Sequence, residues 1–148
     1  NTASIVGMGK AFEIATTNPS SITLLRDYFE KQITTSIDDC AIHAAAATRL
    51  CNTSNILFKH VRSNELMTAL KDVAVSSGSA CVSGDRDPSH VLTAMGITDE
   101  DALCSVRFSL SKYNSREELD EAIQLIQQAV EKIRNNSPIW QLYKSNII

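Results

Sequence analysis

Apolar residues recur along this chain at two spacings, and each change of spacing marks a new element. Ile5, Val6, Met8, Ala11, Phe12, Ile14 and Ala15 keep a helical rhythm despite Gly7 and Gly9, which predicts an opening helix. Thr17-Asn18-Pro19 interrupts it, because the residue before a proline is pushed away from helical backbone. Ser20 or Ser21 is placed to cap a second helix whose stripe is Ile22, Leu25, Phe29 and Ile33. Cys40 and Ile42 then alternate with their neighbours as in a short strand. Ala44 to Ala47 are helix formers caught between strand signals and stay unassigned. A second strand is expected over residues 55–61, around Ile56-Leu57-Phe58.

The remaining elements follow in the same way. Ser63 is placed to cap a helix carrying Leu66, Met67, Leu70 and Val73, and Val73-Ala74-Val75 reads as a short buried strand. Asp87 as cap, Pro88 at the first helical position and Gly96 past the end predict another helix. Residues 98–102 read as a turn or a single helical turn. From Ser105 to Leu110 the alternation is clean: Val106, Phe108 and Leu110 face one way, Ser105, Arg107 and Ser109 the other. Ser115 and Glu118 form a capping box for a long helix with the stripe Leu119, Ala122, Ile123, Ile126, Val130 and Ile133. Lys132 and Arg134 suit the negative end of its dipole. Pro138 breaks the pattern, and Trp140, Leu142 and Tyr143 predict a short closing helix. The expectation is an α/β or α+β chain: a small mixed or antiparallel sheet with helices packed on it.

Composition narrows the function. At 148 residues a single domain with a real core is expected. Lys+Arg number 14 against 17 Asp+Glu, with no basic stripe, so nothing favours nucleic acid as a partner. No apolar run is long enough to span a membrane. The start, Asn1-Thr2-Ala3-Ser4, carries neither a secretory signal nor an initiator Met, as in a processed or truncated chain. Cys40, Cys51, Cys81 and Cys104 include no CxxC pair, and His43, His60 and His90 are not at zinc-ligand spacing from any of them. No metal site is expected, and a reducing, cytoplasmic setting fits free thiols.

The residues with chemistry to offer are few. Ser76-Ser77-Gly78-Ser79-Ala80-Cys81, continuing to Gly84 and Asp85, sets one thiol among the smallest side chains, with glycine freedom on both sides. Such a tether would let Cys81 reach a substrate and then swing to an acceptor; an incidental cysteine in a surface turn is the other reading. Arg107, alone among serines on one strand face, is shaped for a carboxylate or for a surface ion pair. His90 is the nearest histidine to Cys81 and equally reads as a solvated helix residue. Asp85, Arg86 and Asp87 read as a loop face and cap. Asn52-Thr53-Ser54-Asn55 could touch a ligand, although turn chemistry also explains it. Cys40, Cys51 and Cys104 read as core.

These residues carry a resemblance. Residues 69–81, ending in Ser-Ser-Gly-Ser-Ala-Cys, resemble the active-site segment of the cysteine desulfurases, the nitrogen-fixation and iron–sulfur-assembly enzymes of the class V aminotransferase family. Residues 5–12, 52–56, 87–92, 105–110 and 137–140 are similar, in order, to further segments of those enzymes' C-terminal domain. The resemblance implies that residues 1–148 are the small domain of a fold-type I pyridoxal phosphate enzyme that acts as a homodimer. It further implies that Cys81 takes sulfur from L-cysteine as a persulfide, releasing L-alanine, and that Arg107 holds the substrate carboxylate. The sulfur would pass to an iron–sulfur scaffold or another acceptor, with Cys81 a transient cluster ligand beside the scaffold. None of Lys10, Lys31, Lys59, Lys71, Lys112, Lys132 or Lys144 resembles the family's cofactor lysine. The cofactor domain is therefore expected outside this chain, which alone should be inactive. The chain also ends at Ile148, short of the extended tail with which relatives dock the scaffold. Two rival readings stand beside this one: a non-catalytic sulfur carrier or interaction domain charged by a donor enzyme, and a structural remnant in which Cys81 is inert.

Overall fold

The computed structural model describes residues 1–15, 19–77 and 87–145. Helices α1 (Thr2–Ala15) and α2 (Pro19–Ser36) precede strands β1 (Cys40–Ile42) and β2 (Thr53–Phe58). Helix α3 (Ser63–Ala69) leads to the two-residue strand β3 (Ser76–Ser77). Helices α4 (His90–Ala94) and α5 (Asp99–Leu103) lead to β4 (Ser105–Ser109), and α6 (Arg116–Asn135) and α7 (Pro138–Lys144) follow. The four strands form one antiparallel sheet in the order β1-β2-β4-β3. This is the expected small sheet with helices against it, and among the described strands every pairing is antiparallel.

The inward residues of the two central strands, Ile56, Phe58, Val106 and Phe108, meet Phe29 and Ile33 of α2 and Leu119, Ile123, Ile126 and Val130 of α6 in one buried cluster. The Phe108 ring packs between Phe29 and Phe58, at centroid distances of 5.1 and 6.3 Å. The predicted capping box is present: the Glu118 amide donates to Ser115 Oγ and the Ser115 amide to Glu118 Oε2. Gly96, at φ 82°, closes α4 as predicted. Its amide reaches the Thr93 carbonyl and the Ile97 amide the Leu92 carbonyl, the paired bonds that a left-handed residue permits.

Several boundaries differ from expectation. Pro19 opens α2, so Ser20 and Ser21 lie inside its first turn instead of capping it. Arg62, not Ser63, holds the cap position of α3, which ends before Leu70 and Val73. The second strand begins two residues earlier and ends three earlier than expected. Val73 and Val75 are only half-buried against the core, and the ladder to β4 is made at Ser76 and Ser77. Helix α4 starts at His90, with Ser89 at the cap position in place of Asp87. Helix α1 forms as its rhythm predicts, yet none of its residues is buried.

Candidate functional site

The sheet has a covered face and an open one, and antiparallel register decides what stands on the open one. Asn55 pairs with Arg107, and Arg107 with Ser76. The His43 amide donates to the Asn55 carbonyl at 2.9 Å, which extends the ladder one residue past β1. His43, Asn55, Arg107 and Ser76 therefore form one row across four strands, on the face turned away from Ile56 and Val106. Three of them, His43, Asn55 and Arg107, line a cleft of about 260 Å³ that is flanked by Leu50, Ser89, Val91, Leu92 and Met95.

The charged groups of this cleft have different standing. Arg49 is spent on Glu30 of α2, in a two-pronged pair at 2.6 and 2.9 Å. Burial alone would raise the Glu30 carboxyl, but the Arg49 fork, with Ser54 and Arg26 beside it, holds it below its ordinary value. Arg26 in turn donates to the Leu50 carbonyl at 2.8 Å, so α2 holds the wall of the cleft at two points. Arg107 is exposed, and the one hydrogen bond of its side chain among the described residues is a long one of 3.5 Å to Ser76 Oγ. Its guanidinium keeps most of its donors for a ligand. Asn55 Oδ1 is buried without a hydrogen-bond partner among the described residues.

His43 was not among the candidates named from sequence. It is 9 % exposed, and Nε2 lies 2.8 Å from Ser105 Oγ, whose hydroxyl donates to the Asp101 carbonyl at 2.6 Å. Burial lowers its pKa, with the nearby Asp101 pulling the other way, so the ring is neutral at neutral pH. A lowered folded-state value means that the unfolded chain binds the proton more readily. This contribution to stability is complete above about pH 6.5 and is lost as pH falls through the folded-state pKa. A His43→Asn variant should accordingly lose stability more gently than the parent between pH 7 and 5, read as the difference in urea midpoints. Two parallel acid limbs would disprove it. The signal that could have found His43 is period two: with Cys40 and Ile42 turned inward, Ala41 and residue 43 must face the cleft.

The other sequence candidates fall elsewhere. His90 is exposed at the start of α4 and is not among the cleft residues. Asp87 is exposed and does not cap the helix. Cys81, with Asp85 and Arg86, lies outside the described residues. Cys104 is buried and Cys40 and Cys51 half-buried, all three as free thiols. Burial raises the pKa of Cys40 and of Cys104, which makes them poor nucleophiles. Asn52-Thr53-Ser54-Asn55 is mostly strand instead of turn, which is how Thr53 and Asn55 come to line the cleft. A pyridoxal cofactor needs a lysine and a partner for its ring nitrogen. The described cleft residues include neither a lysine nor a carboxylate, so they do not fit that group by themselves. Among the described residues no group of three metal-ligating side chains occurs, and no helix is long and apolar enough to cross a membrane.

Residues 1–122 match the aminotransferase class-V family. The chain is 44% identical over 147 residues to the cysteine desulfurase IscS of Histophilus somni strain 129Pt, covering 97% of this chain and 36% of that protein. It is 42% identical over 150 residues to the cysteine desulfurase IscS of Shewanella sp. strain W3-18-1, covering 99% and 37%. It thus spans little more than a third of the length of these relatives. Among solved structures, a NifS-like protein from Rickettsia africae ESF-5 superposes with a TM-score of 0.67 at 27% identity, over 78% of this chain and 30% of that one.

Proposed function

The chain belongs to the aminotransferase class-V family, and from that premise we propose that it is the C-terminal small domain of a cysteine desulfurase. The complete enzyme would be a cytoplasmic homodimer that moves sulfur from L-cysteine to an iron–sulfur scaffold or another acceptor protein. The observation that carries the reading is the register of β3 on β4. Ser76 opens the Ser-Ser-Gly-Ser-Ala-Cys segment and is paired directly with Arg107. Cys81 follows Ser77 by four residues, a reach of at most about 14 Å when extended. A tether of that length is short enough to let the Cys81 thiol work beside a guanidinium whose donors can take a carboxylate.

Pyridoxal phosphate, which the described cleft residues do not hold by themselves, would be bound by a lysine of a further domain and would supply an electron sink to the amino acid. This chain's own residues do the rest. Arg107 grips the substrate carboxylate with two parallel hydrogen bonds and so fixes where the sulfur lies. The thiolate of Cys81 attacks that sulfur. A sulfur–sulfur bond forms and the carbon–sulfur bond breaks. Its electron pair stays on carbon, which takes a proton and leaves as L-alanine. The persulfide on Cys81 then passes its outer sulfur to the acceptor. Without the cofactor domain the chain releases no sulfide from cysteine.

Arg107→Ala in the complete enzyme is expected to raise the KM for L-cysteine by roughly 30- to 150-fold, the loss of about 2–3 kcal/mol from a charged, two-pronged contact. Arg107→Lys should recover only a small part, because a point charge cannot make the paired bonds. An unchanged dependence on cysteine concentration would refute the assignment.

A further inference from the structure

The imidazole of His43 is held in a defined state, and the proposed chemistry does not use it. The Ser105 hydroxyl has one proton, and the 2.6 Å contact to the Asp101 carbonyl takes it. The oxygen of Ser105 must then accept from His43, so Nε2 carries the hydrogen of the neutral ring. That leaves Nδ1 as an acceptor, with no partner among the described residues. The backbone of His43 stands in the same row as that of Arg107, two strand spacings or about 10 Å away along the sheet. Between them the cleft offers about 260 Å³. A donor fork at one end and a neutral acceptor at the other match a small molecule with a carboxylate at one end and N–H groups at the other.

We propose that His43 is a second recognition residue of this cleft, accepting at Nδ1 a hydrogen bond from the ammonium of a free α-amino acid whose carboxylate lies on Arg107. The proposal rests on the carboxylate role given to Arg107 above and adds the reading of the amine. It makes the sheet face a capture site for the zwitterion, before the amino acid reaches the cofactor. Selection against plain carboxylates then comes from this chain and not only from the cofactor's demand for an amine. The Ser105–Asp101 relay makes it specific to one tautomer: a ring turned over, or protonated, would present a donor and repel the ammonium.

The test uses the 148-residue chain with its histidines ¹⁵N-labelled, titrated with L-alanine and separately with propionate, which lacks the amine. L-alanine is expected to move the Nδ1 resonance of His43 and to bind about fivefold or more tighter than propionate, the worth of one hydrogen bond to a charged donor. His43→Phe should bring the two affinities together and leave that for propionate in place. His43→Asn, which retains an acceptor, should restore part of the preference, and amide spectra of both variants report that the fold is kept. If Nδ1 does not move at saturating L-alanine, or His43→Phe retains the preference, the proposal is overturned. Failure to bind either ligand overturns it as well. An Arg107→Ala variant that still binds L-alanine as well as the parent would instead remove the carboxylate role on which it rests.

Discussion

Cys81→Ser in the complete enzyme is expected to abolish sulfide release from L-cysteine while leaving the cofactor's absorbance response to cysteine intact. The reason lies in the atoms. The step requires a nucleophile that can form a bond to sulfur and then surrender that sulfur, and a hydroxyl at neutral pH is neither ionised nor able to carry it. Removing a covalent nucleophile lowers turnover on the order of 10³-fold or more. Two of the other thiols are poor substitutes for it: Cys104 is buried, Cys40 is half-buried, and burial raises the pKa of both. Arg107 is untouched by the change, so binding of the amino acid should persist. Mass spectrometry after exposure to cysteine should find one added sulfur on the parent and none on the variant. Turnover at the parental rate by the serine variant would end the covalent proposal. The sulfur-carrier alternative separates at the same point, since it requires a donor enzyme before any sulfur reaches Cys81.

What the residue pattern could and could not disclose follows from how far each signal reaches. The alternation of Ser105 to Leu110 is a local property, and β4 with its buried Val106 and Phe108 lies where the alternation puts it. The capping box of α6 is equally local and is present. Ser105 breaks the simple scheme: it is on the polar side yet fully buried, because His43 and the Asp101 carbonyl enclose its hydroxyl. The Asp101 carbonyl is only four residues away, but His43 is 62 residues distant and cannot be found from the neighbours of Ser105. The row His43, Asn55, Arg107, Ser76 depends on register among four strands; the sequence offered Arg107, and Asn55 and Ser76 as parts of longer segments, but nothing that set them side by side or brought in His43. The apolar rhythm of α1 revealed which face of the helix is apolar, but rhythm says nothing of what lies against that face. Ile5, Val6, Met8, Phe12 and Ile14 are all exposed. Resemblance carried the family, because the Ser-Ser-Gly-Ser-Ala-Cys segment is specific where periodicity is not.

Arg134→Met is expected to be clearly destabilising, although sequence reading gave this side chain only a dipole role. The guanidinium is 5 % exposed and donates to three carbonyls: Asp38 at 2.8 Å, Asp39 at 3.1 Å and Lys59 at 3.0 Å. Its flat face lies 4.1 Å from the centre of the Trp140 ring. These carbonyls belong to the chain entering β1 and the chain leaving β2, where Asp39 and His60 hold left-handed backbone at φ 51° and 61°. One side chain of α6 thereby fixes the end of the hairpin and the closing helix together. Methionine would fill much of the volume but take the guanidinium away from the Asp38 and Lys59 carbonyls, while the Asp39 carbonyl keeps the Lys59 amide at 3.0 Å; hydrogen bonds from a charged donor are worth about 1.5–3 kcal/mol each, with part recovered by water at these exposed residues. The expected loss is about 2–4 kcal/mol, or roughly 4–16 °C in melting temperature for a chain of this size. Arg134→Lys should rescue little, since an ammonium cannot span three carbonyls on two segments. Because β1 leads directly into His43, the same change should also broaden or shift the His43 resonances in a folded sample. A loss under about 1 kcal/mol by urea denaturation would mean that the hairpin end is held by its own turns and not by Arg134.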